Sequence, residues 1–201
     1  MSNLHLFAPP FVYSEEVTNH SKIKESLFPE IAKLAKDKGV NSSKWNCDCF
    51  TSWETDLNSF LEKEEVLREI AWSPLENLTK SFLGQFVPSL VSAKLIEIWF
   101  NFYEKGYFQE IHTHDLEKPS NVISGIYILH LEQPGQNTTL FHRIDRCNLL
   151  VSDLRTDNFD EGTVLLFPSS LHHEVLPCLG ERATISFNLE LSLKDPQGKT
   201  I

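Results

Sequence analysis

Four of the eight histidines in this 201-residue chain fall into two tight clusters with spacings suited to holding an ion. The first is His112-Thr113-His114-Asp115. On a β-strand, residues two apart point to the same face. His112 and His114 can therefore reach one ion, while Thr113 and Asp115 point away. The second cluster, His172-His173, follows the Phe167-Pro168-Ser169-Ser170 turn. Only one histidine of that pair can face a given side of a strand. Beyond it, Arg182 opens a segment with clean alternation. Arg182, Thr184, Ser186 and Asn188 share one face, and Ala183, Ile185, Phe187 and Leu189 share the other.

These residue types suit one chemistry in particular. A non-haem Fe(II) site that activates O2 needs three protein ligands on one side of the metal and open positions on the other. Neutral imidazoles suit Fe(II). A 2-oxoglutarate co-substrate chelates such a metal through its keto-acid end. Its far carboxylate needs a cationic, bidentate anchor, which arginine supplies. A hydroxyl such as that of Thr184 would complete the cradle. Each part alone has a blander reading. A lone H-x-H on a strand is more often structural than ligating, and a lone arginine is more often a surface ion pair. The parts gain weight because they stand in a workable order, separated by strand signal.

The elements that must position them divide the chain. Residues 1–90 carry helical signals. Ile23, Leu27, Ile31 and Leu34 recur at helical spacing, with Pro29 expected to kink or break that helix. A second amphipathic stretch runs through Leu57, Phe60, Leu61, Val66, Leu67 and Ile70. Ser73-Pro74 reads as an N-cap followed by proline at the first helical position, with Leu75, Leu78 and Phe82 as the apolar face. From about Ser92 the period changes to two. Leu95, Glu97, Trp99, Asn101 and Tyr103 alternate with Ile96, Ile98, Phe100 and Phe102. Further strands are expected at 107–114, 122–131, 137–142, 147–152, 163–167, 173–177 and 182–190. The acidic, turn-rich stretch 153–162 reads as a solvated loop, and the polar tail 194–201 as frayed. The fold class expected is mainly β with N-terminal helices: a double-stranded β-helix (jelly roll, cupin-like) over 91–193, flanked by the helical region 1–90, in one domain.

Composition narrows the class further. The net charge is -10 and the pI about 5.2, which argues against a dedicated nucleic-acid binder. No apolar run approaches the roughly 18 residues of a membrane span, and the N-terminus lacks the pattern of a signal peptide. The protein is therefore expected inside the cell. Cys47 and Cys49 form a C-x-C pair, but no second Cys/His pair completes a structural zinc site. They, Cys147 and Cys178 read as reduced structural thiols. His130 and His142 stand alone on strand segments and read as structural.

Two blocks resemble a known family. Trp99 to Leu129 (WFNFYEKGYFQEIHTHDLEKPSNVISGIYIL) is similar to 2-oxoglutarate/Fe(II) oxygenases common in marine bacteria and their phages. Those show a W-x-N-x-Y-x-x-G strand and turn, an H-x-H segment, and a serine-glycine-aliphatic-tyrosine strand, here Ser124-Gly125-Ile126-Tyr127. Residues 167–188 (FPSSLHHEVLPCLGERATISFN) resemble that family's F-P-S-x-L-x-H-x-V-x-P block followed by R-x-x-x-S-F-N. Leu6-Phe7-Ala8-Pro9 and Cys49-Phe50-Thr51-Ser52 look similar too. More widely, the chain is similar to prolyl-hydroxylase-like oxygenases.

The resemblance implies a ligand set and a reaction. His173 rather than His172 becomes the distal ligand, and Arg182 the anchor of 2-oxoglutarate, with Thr184, Tyr103 and Tyr127 as further contacts. The wider superfamily usually carries Asp or Glu as its second ligand. This chain has His114 there, with Asp115 as the alternative; His114 is favoured because it shares a face with His112. Three histidines would leave the iron site one charge unit more positive than the usual triad. Trp99, Asn101 and Asn188 are expected to line the pocket. The implied cofactors are Fe(II), 2-oxoglutarate as co-substrate and O2, with ascorbate as an added reductant. The implied reaction couples oxidative decarboxylation to hydroxylation of a peptidyl, prolyl-like substrate or a small molecule. The implied setting is the cytoplasm of a bacterium or a phage-infected host cell, without nucleic-acid or membrane partners. Two rivals stand beside this: a three-histidine cupin-type metalloenzyme that uses no 2-oxoglutarate, and a non-catalytic jelly-roll binding or structural module.

Overall fold

A computed structural model describes residues 11–38, 48–53, 68–87, 89–114, 122–144, 150–155, 159–194, 197–198 and 200. Its framework is two antiparallel sheets. The larger has the order β1 (Tyr13–Glu16), β8 (Thr163–Pro168), β5 (Val122–Leu131), β10 (Arg182–Leu193), β3 (Leu90–Tyr103), β2 (Phe50–Thr51). The smaller has the order β4 (Gln109–His112), β9 (His173–Val175), β6 (Thr139–Ile144), β7 (Leu150–Arg155). The strands cross repeatedly between sheets, so sequence-distant strands become neighbours. This is the expected double-stranded β-helix.

Helix α1 (His20–Lys38) and helix α2 (Ser73–Phe86) pack on the larger sheet. α1 buries Ile23, Leu27, Ile31 and Ala35 against Phe100, Phe102, Tyr127 and Leu129 in one cluster. Of the kink or break expected at Pro29, the break does not occur: α1 runs through it. Pro29 and Glu25, whose carbonyl loses its helical donor, both lie on the exposed side, where water can bond that carbonyl. Nor does Ser73 cap α2: a π-helical turn, Arg68–Trp72, leads straight into it, and Trp72 occupies the cap position in helical conformation. Pro74 does sit in the first turn. Of the apolar residues expected to form the amphipathic stretch from Leu57 to Ile70, only Ile70 is among the described residues, in that π-helical turn.

Alternation sets the two faces of the central strands. In β10, Ala183, Ile185, Phe187 and Leu189 join the core beneath the helices. Arg182, Thr184 and Ser186 line a cleft between the sheets. β3 repeats this, with Ile98, Phe100 and Phe102 in the core and Trp99, Asn101 and Tyr103 in the cleft. A separate apolar cluster of Ile126, Phe141, Leu165, Phe167 and Leu171 joins the two sheets beside the cleft.

Several boundaries differ from the sequence expectation. β6 and β7 lie two to three residues later than 137–142 and 147–152, so the expected loop at 153–162 begins as strand. β4 and β9 are shorter than expected, and β10 runs on to Leu193. The tail is tied rather than frayed at its start: the Lys194 amide donates to the Ser89 carbonyl, and Lys194 bridges Thr200. The short strands β1 and β2 had no signal in the alternation pattern. Cys49 and Cys178 are buried and in no disulfide, as expected, whereas Cys47 and Cys147 fall outside the described residues.

Gly125 shows how tightly the central strands are built. It pairs with Phe187 across β5 and β10, and the Phe187 ring lies over the space that a Cβ at position 125 would occupy. Trp72 meets the same ring edge-on at 5.3 Å, so the ring has little room to retreat. Gly125→Ala is expected to cost about 1–3 kcal/mol of stability by overpacking. The midpoint of chemical denaturation, compared with wild type, measures it.

Candidate metal centre

Three histidines converge in the cleft. His112, on β4, stands directly opposite His173, on β9, as a cross-strand pair. Their ring centroids are 4.2 Å apart. His114 lies just past the end of β4, held by a hydrogen bond from its backbone amide to the Ser169 carbonyl. Its ring centroid is 5.4 Å from that of His112 and 4.8 Å from that of His173. Each ring offers one nitrogen, and the three nitrogens lie within 4.8 Å of one another. That is the separation expected before an ion draws its ligands in to bonding distance.

The other ring nitrogens are already engaged. His112 Nδ1 lies 2.7 Å from the Glu110 carbonyl, and His173 Nδ1 lies 3.0 Å from the Leu171 carbonyl. A carbonyl oxygen can only accept, so both rings carry their proton on Nδ1 and keep Nε2 free for a metal. Burial lowers the pKa of His112 and lowers that of His173 much further, where proximity to His112 and His114 adds to it. Both rings are therefore held neutral, the form that binds metal. His173 is 2% exposed and sits among Phe141 and Phe167. His172 faces away, as the two-residue period requires, and its backbone carbonyl accepts from the His142 amide. Asp115, the alternative ligand, falls outside the described residues.

Arg182 lines the same cleft and is 2% exposed. Its Nη2 donates to Thr139 Oγ1 at 2.7 Å and to Asn137 Oδ1 at 3.2 Å. Its Nε and Nη1 are buried without a hydrogen-bond partner. Among the described residues no carboxylate is paired with it. A buried cation with two idle donors is costly unless an anion completes it. These donors fit the far carboxylate of 2-oxoglutarate, and the three Nε2 atoms fit Fe(II). Tyr103 underlies the guanidinium, whose carbon is 4.9 Å from the ring centroid. Burial raises the Tyr103 pKa well above its usual value, so the hydroxyl stays protonated and donates to Gln109 Oε1.

Of the residues expected at the site, His112, His114, His173, Arg182, Thr184, Tyr103, Trp99 and Asn101 all line the cleft. Asn188 borders it through His114. Tyr127 does not. It lies on the opposite face of β5, in the core under α1, where its hydroxyl meets His20 Nδ1 at 2.6 Å. The reason is parity: Tyr127 is three residues from Ser124, so the two side chains point to opposite sides of the strand. The neighbour that lines the cleft is Ile126, opposite Ser186. His130 and His142 have the structural roles expected, beside Glu161 and Glu174 respectively. Sequence reasoning missed Gln109, Asn137 and Thr139. The Asn-Thr-Thr run resembles a turn, yet Asn137 and Thr139 are two apart and both reach Arg182, which the period-two rule could have shown.

Residues 97–188 match the family model described as "Putative 2OG-Fe(II) oxygenase", a span that contains all three histidines and Arg182. No curated protein matches the sequence. Among solved structures, a Pseudomonas putida prolyl-4-hydroxylase is similar with a TM-score of 0.55 at 14% identity, over 89% of this chain and 91% of that one. The Trichoplax adhaerens prolyl hydroxylase in complex with a hypoxia inducible factor oxygen degradation domain peptide fragment gives 0.56 at 14%, over 90% and 82%. The non-heme alpha-ketoglutarate-dependent epimerase of nogalamycin biosynthesis gives 0.61 at 10%, over 92% and 80%. At such identities the shared property is the fold.

Proposed function

We propose that this chain is an Fe(II)- and 2-oxoglutarate-dependent oxygenase that hydroxylates a peptidyl, prolyl-like substrate. The observation that carries the reading is the pairing, in one cleft, of three convergent imidazoles with a buried arginine that has two idle donors. A cupin-type enzyme that uses no 2-oxoglutarate would have no need of that arginine. A non-catalytic jelly roll would have no need of either. The match of residues 97–188 supports the same assignment.

The chain's own groups have divided tasks. His112, His114 and His173 would hold Fe(II) from one side and leave the other side open. Arg182, with Thr184 beside it and Tyr103 beneath it, would hold the far carboxylate of 2-oxoglutarate. Trp99, Ile126 and Val175 give the cleft its apolar lining, and Phe141 and Phe167 pack against His173 behind it, which limits the entry of water to that ligand. When bound, the metal and co-substrate supply oxidative decarboxylation by O2, giving succinate and CO2 and placing one oxygen atom on the substrate. A fold relative seated on a peptide supports a peptidyl substrate. We further read residues 1–193 as one domain, acting in the cytoplasm of a bacterium or an infected host cell. No helix among the described residues is long and apolar enough to cross a membrane.

The test is turnover of wild-type protein with Fe(II), ascorbate, 2-oxoglutarate and a panel of proline-containing peptides. Succinate should form in step with peptide consumption, and the peptide should gain the mass of one oxygen atom. Succinate coupled to a small metabolite but to no peptide would overturn the peptidyl substrate. Succinate with no oxygen gain would overturn hydroxylation.

A further inference from the structure

His112 and His173 rest their Nδ1 on backbone carbonyls, but His114 does not. Its Nδ1 faces two side chains: Ser124 Oγ at 2.9 Å and Asn188 Oδ1 at 3.3 Å. A hydroxyl can donate or accept, and an amide can present either end. Local contacts therefore leave open which nitrogen of His114 carries the proton. A proton on Nε2 would block that ring as a ligand.

The choice is made one residue further out. Glu97 pairs with Asn188 across β3 and β10, and its Oε2 lies 2.6 Å from Asn188 Nδ2. A carboxylate only accepts, so it selects the orientation in which the amide NH2 points at Glu97 and Oδ1 points inward. Asn188 Oδ1 is then an acceptor 2.6 Å from Ser124 Oγ, close enough to take the single Ser124 hydroxyl proton. With that proton spent, the Ser124 oxygen turns its lone pairs to His114, and Ser169 Oγ, 2.9 Å away, can donate to it. Both neighbours of His114 Nδ1 are thereby acceptors. The ring must carry its proton on Nδ1 and leave Nε2 bare. Ser124 and Asn188 are fully buried, so water does not compete for these positions.

We propose that Glu97 is a positioning residue of the metal centre: through the Asn188 amide and Ser124 it holds His114 in the tautomer that can bind a metal. This rests on the three-histidine reading of the site. It also places a negative charge one amide away from a centre whose three ligands are neutral. Such outer partners raise the basicity of a ligating imidazole.

The experiment compares wild type, Glu97→Gln and the double variant Glu97→Gln/Asn188→Asp, each checked for folding by circular dichroism. Glutamine keeps the volume of Glu97 but can offer its own NH2 to the amide, so the orientation is no longer dictated. The double variant reverses the polarity of that bond and restores an obligate acceptor beside His114. Long-range 1H–15N spectra of the metal-free proteins read the His114 tautomer, and titration with Co(II) reads affinity. Expected are Nδ1–H in wild type, partial or full Nε2–H in Glu97→Gln with Co(II) affinity about 10–100-fold weaker, and recovery of both in the double variant. A Glu97→Gln protein with the wild-type tautomer and unchanged Co(II) affinity overturns the proposal. So does loss in Glu97→Gln without recovery in the double variant, which would mark a packing role. Wild-type protein that takes up no Co(II) would sink the metal-centre reading itself, and the tautomer data tell that failure from a failure of the relay.

Discussion

His173→Ala is expected to reduce substrate-coupled succinate formation to background. The residue is the most enclosed of the three histidines and packs against both Phe141 and Phe167. Losing an outer partner of a metal ligand costs about 10–100-fold in affinity; losing the ligand itself should cost more. Anaerobic titration with Fe(II) or Co(II) should show no stoichiometric uptake in the variant. Because the truncated ring also leaves a cavity, His173→Gln provides a control that fills most of the space. It should fold as wild type does and still fail to turn over, since an amide is a poor substitute for imidazole nitrogen. Full activity in either variant would remove His173 from the metal centre.

Arg182→Met should separate the co-substrate from the metal. The buried guanidinium contributes charge-assisted hydrogen bonds to a carboxylate, and truncating one partner of such a buried pair costs about 2–5 kcal/mol. The KM for 2-oxoglutarate should therefore rise by about two orders of magnitude or more, while Co(II) uptake stays near wild type. Lysine should not rescue it, because a point charge cannot reproduce the planar fork that meets Thr139, Asn137 and a ligand at once. Stability provides an independent readout. In the protein without 2-oxoglutarate, Arg182 is a buried cation with Nε and Nη1 unbonded. Replacing it with an apolar side chain of similar length should leave Tm unchanged or raise it. Wild type, by contrast, should gain about 2.7 kcal/mol from 2-oxoglutarate at one hundred times its Kd, and Arg182→Met should gain nothing at that concentration. Loss of metal binding along with 2-oxoglutarate in Arg182→Met would mean that the two halves of the site do not act independently.

Arg182 and Tyr127 show why some of the site was legible and some was not. Arg182, Thr184 and Ser186 were readable as one face because alternation is a property of the extended chain itself. The same rule, carried through Ser124-Gly125-Ile126-Tyr127, puts Tyr127 on the helix side. There it meets His20 instead of the cleft. A motif match alone did not respect that parity. Pro29 shows the opposite limit. Proline disfavours a helix interior, but α1 is held by the burial of Ile23, Leu27 and Ile31 against the sheet, and the lost hydrogen bond faces water.

What the chain alone determined is local: the residue types suited to iron and a dicarboxylate, their order, and the face each takes on its own strand. Those follow from side-chain chemistry and from the two-residue period, which need no knowledge of neighbours. Which strands become neighbours was decided only by the tertiary structure. Pairing β4 with β9 sets His112 opposite His173, pairing β10 with β3 sets Asn188 against Glu97, and the turn into β6 brings Asn137 and Thr139 to Arg182. Register and sheet order come from backbone hydrogen bonds and core packing summed over the whole molecule, so contacts such as Glu97 to Asn188 leave no trace in any one segment.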